Sequence, residues 1–172
     1  YYKYQFAAFD EVKMLRLLPH ELSENVASFL SSTILSRHFI FSGVDKRSIA
    51  RVLKILKPGR VESGKYIVRA GDKCRDMFIV KRGIIYITNE EAKIVAEYRD
   101  NSTFMEYSLV PGLVKSHFYN ALAFSSVTYF AISAVDFVSI MRQEREVLHR
   151  VRHNIEVLEA ARALSGVSLV LD

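Results

Sequence analysis

The stretch Gly64-Lys65-Tyr66-Ile67-Val68-Arg69-Ala70-Gly71-Asp72, followed by Met77-Phe78-Ile79-Val80 and Gly83, decides the fold. Two short runs rich in β-branched and aromatic side chains are separated by glycines, where a chain reversing direction needs backbone angles that other residues resist. The same rhythm continues outward. Ile84-Ile85-Tyr86-Ile87 and Ile94-Val95-Ala96 read as further strands, with turns at Asn89-Glu90-Glu91 and Asp100-Asn101-Ser102. Short strands at this spacing, with no helices between them, predict an antiparallel roll or barrel from Arg60 to about Ile132.

Helical periodicity flanks the roll on both sides. Residues from Phe9 to about Leu18 are helix-compatible, and Pro19 suits the first turn of a second helix with Leu22, Val26, Phe29 and Leu30 on one face. A third helix is expected around Asp45 to Leu56, capped by Asp45 and ended by Lys57-Pro58-Gly59. After the roll, Ser133 caps a helix through Phe137, Ile140 and Met141. A longer one runs from about Glu146 to Leu164 with Leu148, Val151, Ile155 and Leu158 on one side and Gly166 as its stop. The fold class is therefore α+β: an antiparallel, jelly-roll-like β-roll between N-terminal helices and two C-terminal helices.

Composition narrows the function. The 172 residues are half hydrophobic and a quarter charged, an ordinary globular balance. No apolar run approaches the roughly 20 residues that span a bilayer, and no signal-peptide pattern opens the chain. The net charge of +5 is scattered, and the aromatics sit in apolar runs, so a nucleic-acid partner is not expected. The single cysteine, Cys74, has no intrachain partner. No nucleophile elbow, phosphate loop or catalytic carboxylate pair is present, so the chain reads as a non-enzyme. His149 and His153 stand four apart, but Arg150 and Arg152 between them and the lack of a third ligand give a charged surface, not a metal site.

The glycine-punctuated run from Gly64 to Gly83, within its helix-roll-helix-helix order, resembles a cyclic-nucleotide-binding domain over roughly Arg37 to Leu164. Leu18-Pro19-His20-Glu21-Leu22 and Phe39-Ile40-Phe41 look like the distal C-linker of cyclic-nucleotide-gated, hyperpolarisation-activated and ether-à-go-go channels. The resemblance implies a C-linker-like segment at 1–36 and a binding-type domain at 37–172. Within the latter, the roll spans about 59–132, the C-terminal helices about 133–165 and a tail 166–172. It also implies a regulatory domain on the cytoplasmic side of a membrane, in a channel-like transport protein. A sperm-type sodium/proton exchanger and a ligand-independent assembly module are the alternatives. The partners implied are the rest of the parent protein and identical subunits, as a tetramer or dimer.

The family's phosphate-binding segment reads Phe-Gly-Glu and, further on, Arg-Ser/Thr-Ala. Its Glu accepts from the ribose hydroxyl and its Arg grips the cyclic phosphate. Here Phe104, Glu106 and Leu109 match, whereas Met105 stands at the glycine and His117-Phe118-Tyr119 at Arg-Thr-Ala. His117 cannot reproduce a bidentate guanidinium at neutral pH, and Phe118 lacks the hydroxyl. Lys115 is the other candidate cation, because Pro111 and Gly112 loosen the register. The pocket is thus expected to be degenerate, with no certain cofactor and weak or absent cAMP or cGMP binding. In ether-à-go-go channels a strand after the last helix fills the pocket, which makes Leu169, Val170 and Leu171 candidates for a self-ligand.

Overall fold

A computed structural model describes Pro19 and residues 34–166 of the chain. The expected helices before residue 34 and the tail residues Leu169, Val170 and Leu171 lie outside the described residues.

The described residues include a 3-10 turn at Phe39–Phe41, followed by helix α1 at Lys46–Ile55. Asp45 caps α1 as expected: its carboxylate accepts from the Ser48 amide at 2.9 Å and from the Ser48 hydroxyl at 2.7 Å. Those bonds hold the Asp45 carboxyl below its ordinary pKa. Strand β1, Lys57–Val61, begins immediately after the helix, so Lys57-Pro58-Gly59 both ends α1 and starts the sheet. Pro58 is tolerated there because β1 lies at a sheet edge.

Seven more strands follow: β2 Tyr66–Val68, β3 Asp76–Arg82, β4 Ile85–Thr88, β5 Ile94–Tyr98, β6 Thr103–Phe104, β7 Asn120–Ala123 and β8 Val127–Ser133. They form two four-stranded sheets, ordered β1-β8-β3-β6 and β2-β7-β4-β5, with every pairing antiparallel. The fold is the expected α+β roll. Gly83 shows why its turn needs glycine: φ is +116°, and a Cβ there would lie 2.7 Å from the Ser126 carbonyl oxygen.

Met77, Phe78, Ile79 and Val80 of β3 are all buried, because β3 lies between β8 and β6 and also packs against the chain after β6. Ile85 and Ile87 of β4 join the same core, with Ala121 and Ala123 of β7. Helix α2, Ala134–Ile140, is capped by Ser133, and helix α3 runs over Arg145–Leu164. The buried faces of Val151 and Ile155 hold α3 against the core. Asn154 of α3 donates to the carbonyls of Ile40 at 3.1 Å and Ser42 at 2.9 Å. The last helix is thereby tied to the first turn of the described chain.

Candidate functional site

The strand-to-turn segment 103–109 builds the site. β6 pairs with β3 through Phe104 opposite Phe78, and the two rings stack with centroids 5.1 Å apart. The Tyr98 ring also stacks on Phe104, at 5.6 Å. Phe104 is thus an anchor inside the core. Leu109, at the end of the 3-10 turn Glu106–Leu109, is likewise buried.

Met105 occupies the position expected of glycine and adopts glycine's conformation, with φ +59° and ψ +31°. A left-handed residue with a side chain costs about 1–2 kcal/mol, so the surrounding packing must hold it there. The Met105 side chain is fully buried, and the Tyr107 phenol donates to its Sδ at 2.7 Å.

Glu106 is completely buried and its carboxylate is fully engaged within the chain. Arg162 of α3 grips it with both nitrogens: Nη1 to Oε2 at 2.7 Å and Nη2 to Oε1 at 2.8 Å. Thr103 Oγ1 also donates to Glu106 Oε1. The Arg162 Nη1 reaches Glu159 at 2.8 Å, and the guanidinium lies 5.7 Å from the Tyr98 ring centroid. Burial opposes the charge on Arg162, but the hydrogen bonds and attraction from Glu106 outweigh it and raise its pKa above the ordinary arginine value. This bidentate geometry is how a guanidinium binds a carboxylate most strongly.

His117 is also buried. Its backbone joins the β2–β3 turn: the Gly71 amide donates to its carbonyl, and its own amide donates to the Asp72 carbonyl, both at 2.8 Å. Its Nδ1 lies 2.8 Å from the Tyr107 Oη and 3.7 Å from the Cys74 Sγ. A phenol has one proton, so both its contacts are satisfied when Nδ1–H donates to Oη and Oη–H points at Met105. Burial lowers the His117 pKa, partly offset by Asp72, and favours the neutral ring. Burial also pushes the Cys74 thiol up to about 11, away from thiolate chemistry.

The other candidates fall elsewhere. Phe118 is more than half exposed. Lys115 is exposed and lines a surface groove that does not include Glu106 or His117, while its carbonyl accepts from the Cys74 amide at 3.1 Å. Glu106 and His117 are joined through the 3-10 turn that carries Tyr107.

Sequence reasoning missed Arg162, Glu159, Thr103 and Tyr107. Arg162 carried a signal. The apolar stripe of α3 runs 148, 151, 155, 158, and the next step at helical spacing is 162, so a charge falls on the buried face. Tyr107 carried none, since its role depends on where its phenol points.

The chain matches the cyclic nucleotide-binding domain family over residues 58–144, half of its length. It belongs to that family. It is 29% identical over 82 residues to the cyclic nucleotide-gated channel alpha-4 of Mus musculus, covering 48% of this chain and 14% of that one. The chain spans between 10 and 16% of the length of the curated relatives it matches. The fold resembles the C-linker/CNBHD of zELK channels, with a TM-score of 0.67 at 17% identity, over 83% of this chain and 72% of that one. A regulatory subunit of a cAMP-independent protein kinase A from Trypanosoma brucei gives 0.63 at 18% identity, over 82% and 47%. No helix among the described residues is long and apolar enough to cross a membrane. Within this cyclic nucleotide-binding domain, Glu106 of segment 103–109 is paired with Arg162 of α3.

The buried, neutral His117 makes stability pH-dependent. His38 is lowered in the same direction, chiefly by burial and the Arg37 charge. A histidine with a depressed folded pKa binds its proton more readily when unfolded. The stability it supports is therefore complete above the unfolded value of 6.5 and falls as the pH drops through it. Thermal melts from pH 8 to 5 are expected to show a falling Tm below about pH 6.5. His117→Gln, which cannot titrate, should flatten part of that slope, and an unchanged slope would contradict the assignment.

Proposed function

We propose that this chain is a regulatory domain of a channel-like membrane transport protein, in which internal contacts replace the cyclic nucleotide. The observation that carries the reading is the bidentate Arg162–Glu106 pair. The acid expected to accept from a ribose hydroxyl has both oxygens already occupied by the last helix. The position expected to grip phosphate holds a buried histidine whose ring nitrogen contacts the Tyr107 hydroxyl. A ligand would have to break the first contact and displace the second, and would gain no guanidinium in return. Channel relatives support the regulatory assignment, and a membrane-linked location on the cytoplasmic side follows from it. The division at residue 36 into C-linker-like and binding-type parts belongs to the same proposal.

The Arg162 contact also favours a second reading, a ligand-independent module that serves to assemble identical copies into a dimer or tetramer. Both readings expect cAMP and cGMP to bind more weakly than about 100 μM by calorimetry. A dissociation constant below about 1 μM for either nucleotide would overturn the replacement of ligand by internal contacts. Sedimentation of the nucleotide-free chain tests the second reading: a chain that stays monomeric counts against assembly.

A further inference from the structure

A second concave surface lies away from Glu106 and Arg162. It is a groove of about 860 Å³ between the turn after β2, the loop leading to β7, and α2. Its walls carry four cations: Lys73 and Arg75 from the turn, Lys115 from the loop and Arg142 just after α2. No acidic residue lines it; Asp72 and Asp76 line a neighbouring cavity that shares Lys73 and Arg75 with the groove, and the Arg75 charge acts on Asp76. Among the described residues, none of the four cations forms an ion pair. Between the charges the surface is apolar, with Val114, Val135 and Val138 in the lining. Val135 is 78% exposed, an unusual place for a β-branched side chain on a helix.

We infer that this groove docks an acidic amphipathic segment of a partner polypeptide. Four cations, none held in an ion pair among the described residues, attract negative charge, and they surround an apolar surface that water solvates poorly. A bare phosphate would use the charges and leave the valines wet. The volume also far exceeds what one phosphate fills. A bilayer surface would meet a convex or flat face more readily than a concave one. A short segment with acids on one side and aliphatic residues on the other satisfies both parts of the lining. The groove is bounded by Ser108, Val110 and the loop after them. An occupant would therefore touch the 3-10 turn that carries Glu106, and would do so whether or not a nucleotide binds.

The test uses the 172-residue chain and a fluorescein-labelled 14-residue peptide with leucines at helical spacing and glutamates elsewhere. Saturable binding is expected, with hydrogen-exchange protection at 110–116 and 134–142. Lys73→Glu with Lys115→Glu should weaken it at least tenfold, and Val135→Asp at least fivefold. Lys65→Glu, on the far side of β2, should leave it unchanged. Peptides with lysine for glutamate, or serine for leucine, should each lose at least tenfold. No saturation by about 1 mM peptide, or binding indifferent to the groove variants, overturns the proposal. If inositol hexakisphosphate or phosphatidylserine vesicles bind with the same variant dependence while the serine peptide binds undiminished, the groove is an anion site and the proposal fails.

Discussion

Replacing Arg162 with methionine should lower the melting temperature of the chain by roughly 6–20 °C. Glu106 is fully buried and Arg162 is its cationic partner, with a second bond from the same guanidinium to Glu159. Removing one member of a buried pair leaves the other charged and desolvated, which typically costs about 3–5 kcal/mol. In a domain of this size each kcal/mol moves Tm by about 2–4 °C. The companion experiment is the double change Arg162→Met with Glu106→Gln. It removes that pair of charges but leaves buried Glu159 without its Arg162 bond, so part of the loss should return, and the cycle then reads the Arg162–Glu106 coupling. Arg152→Met is the control: Arg152 pairs with Glu156 at 2.9 Å on the exposed face of α3, and the cost should stay within about 1 kcal/mol. A fall for Arg162→Met no larger than for the control would mean that the buried pair does not hold α3 down.

The second large effect is a gain of binding. Met105→Gly combined with His117→Arg should raise cAMP affinity well beyond either change alone. The structure adds a third requirement, since the Tyr107 hydroxyl sits 2.8 Å from the His117 ring. His117→Arg by itself would bury a guanidinium beside a neutral phenol with only Asp72 nearby to offset its charge, which should destabilise the chain. Adding Tyr107→Leu vacates that position for a phosphate. A charge-assisted pair contributes roughly 1.5–3 kcal/mol, so the triple variant should bind cAMP about ten- to a hundredfold more tightly than the parent chain. Calorimetry on the folded variants checks it. Gains that merely add, or none at all, would mean that the pocket is lost for reasons other than these three residues.

Those residues also show where a sequence ceases to be informative. Strands β2 to β5 were readable because Tyr66–Val68, Met77–Val80, Ile85–Ile87 and Ile94–Ala96 are dense in β-branched and aromatic side chains. Asp45 and Ser133 announced their helices by their capping oxygens. By contrast β6 is only two residues long, and β7 reads Asn-Ala-Leu-Ala, small side chains that fit a crowded core. The site divides in the same way. Met105 and His117 could be singled out because the resemblance sets an expectation for those positions. That Met105 adopts a left-handed backbone follows from tertiary packing. So does the Arg162 contact with Glu106, 56 residues distant along the chain.

The two hydrogen bonds from Asn154 give α3 the mechanics of a lever. They pin the helix to the carbonyls of Ile40 and Ser42, while Arg162 latches it to Glu106 eight positions further on. At 1.5 Å per residue the arm between pivot and latch is about 12 Å. Releasing the latch by about 5 Å swings the helix through roughly 25° about that pivot. With its fulcrum at the turn Phe39–Phe41, such a swing bears directly on the backbone carbonyls of Ile40 and Ser42. A single latch on the β-roll can therefore set the angle that α3 makes with the turn at Phe39–Phe41.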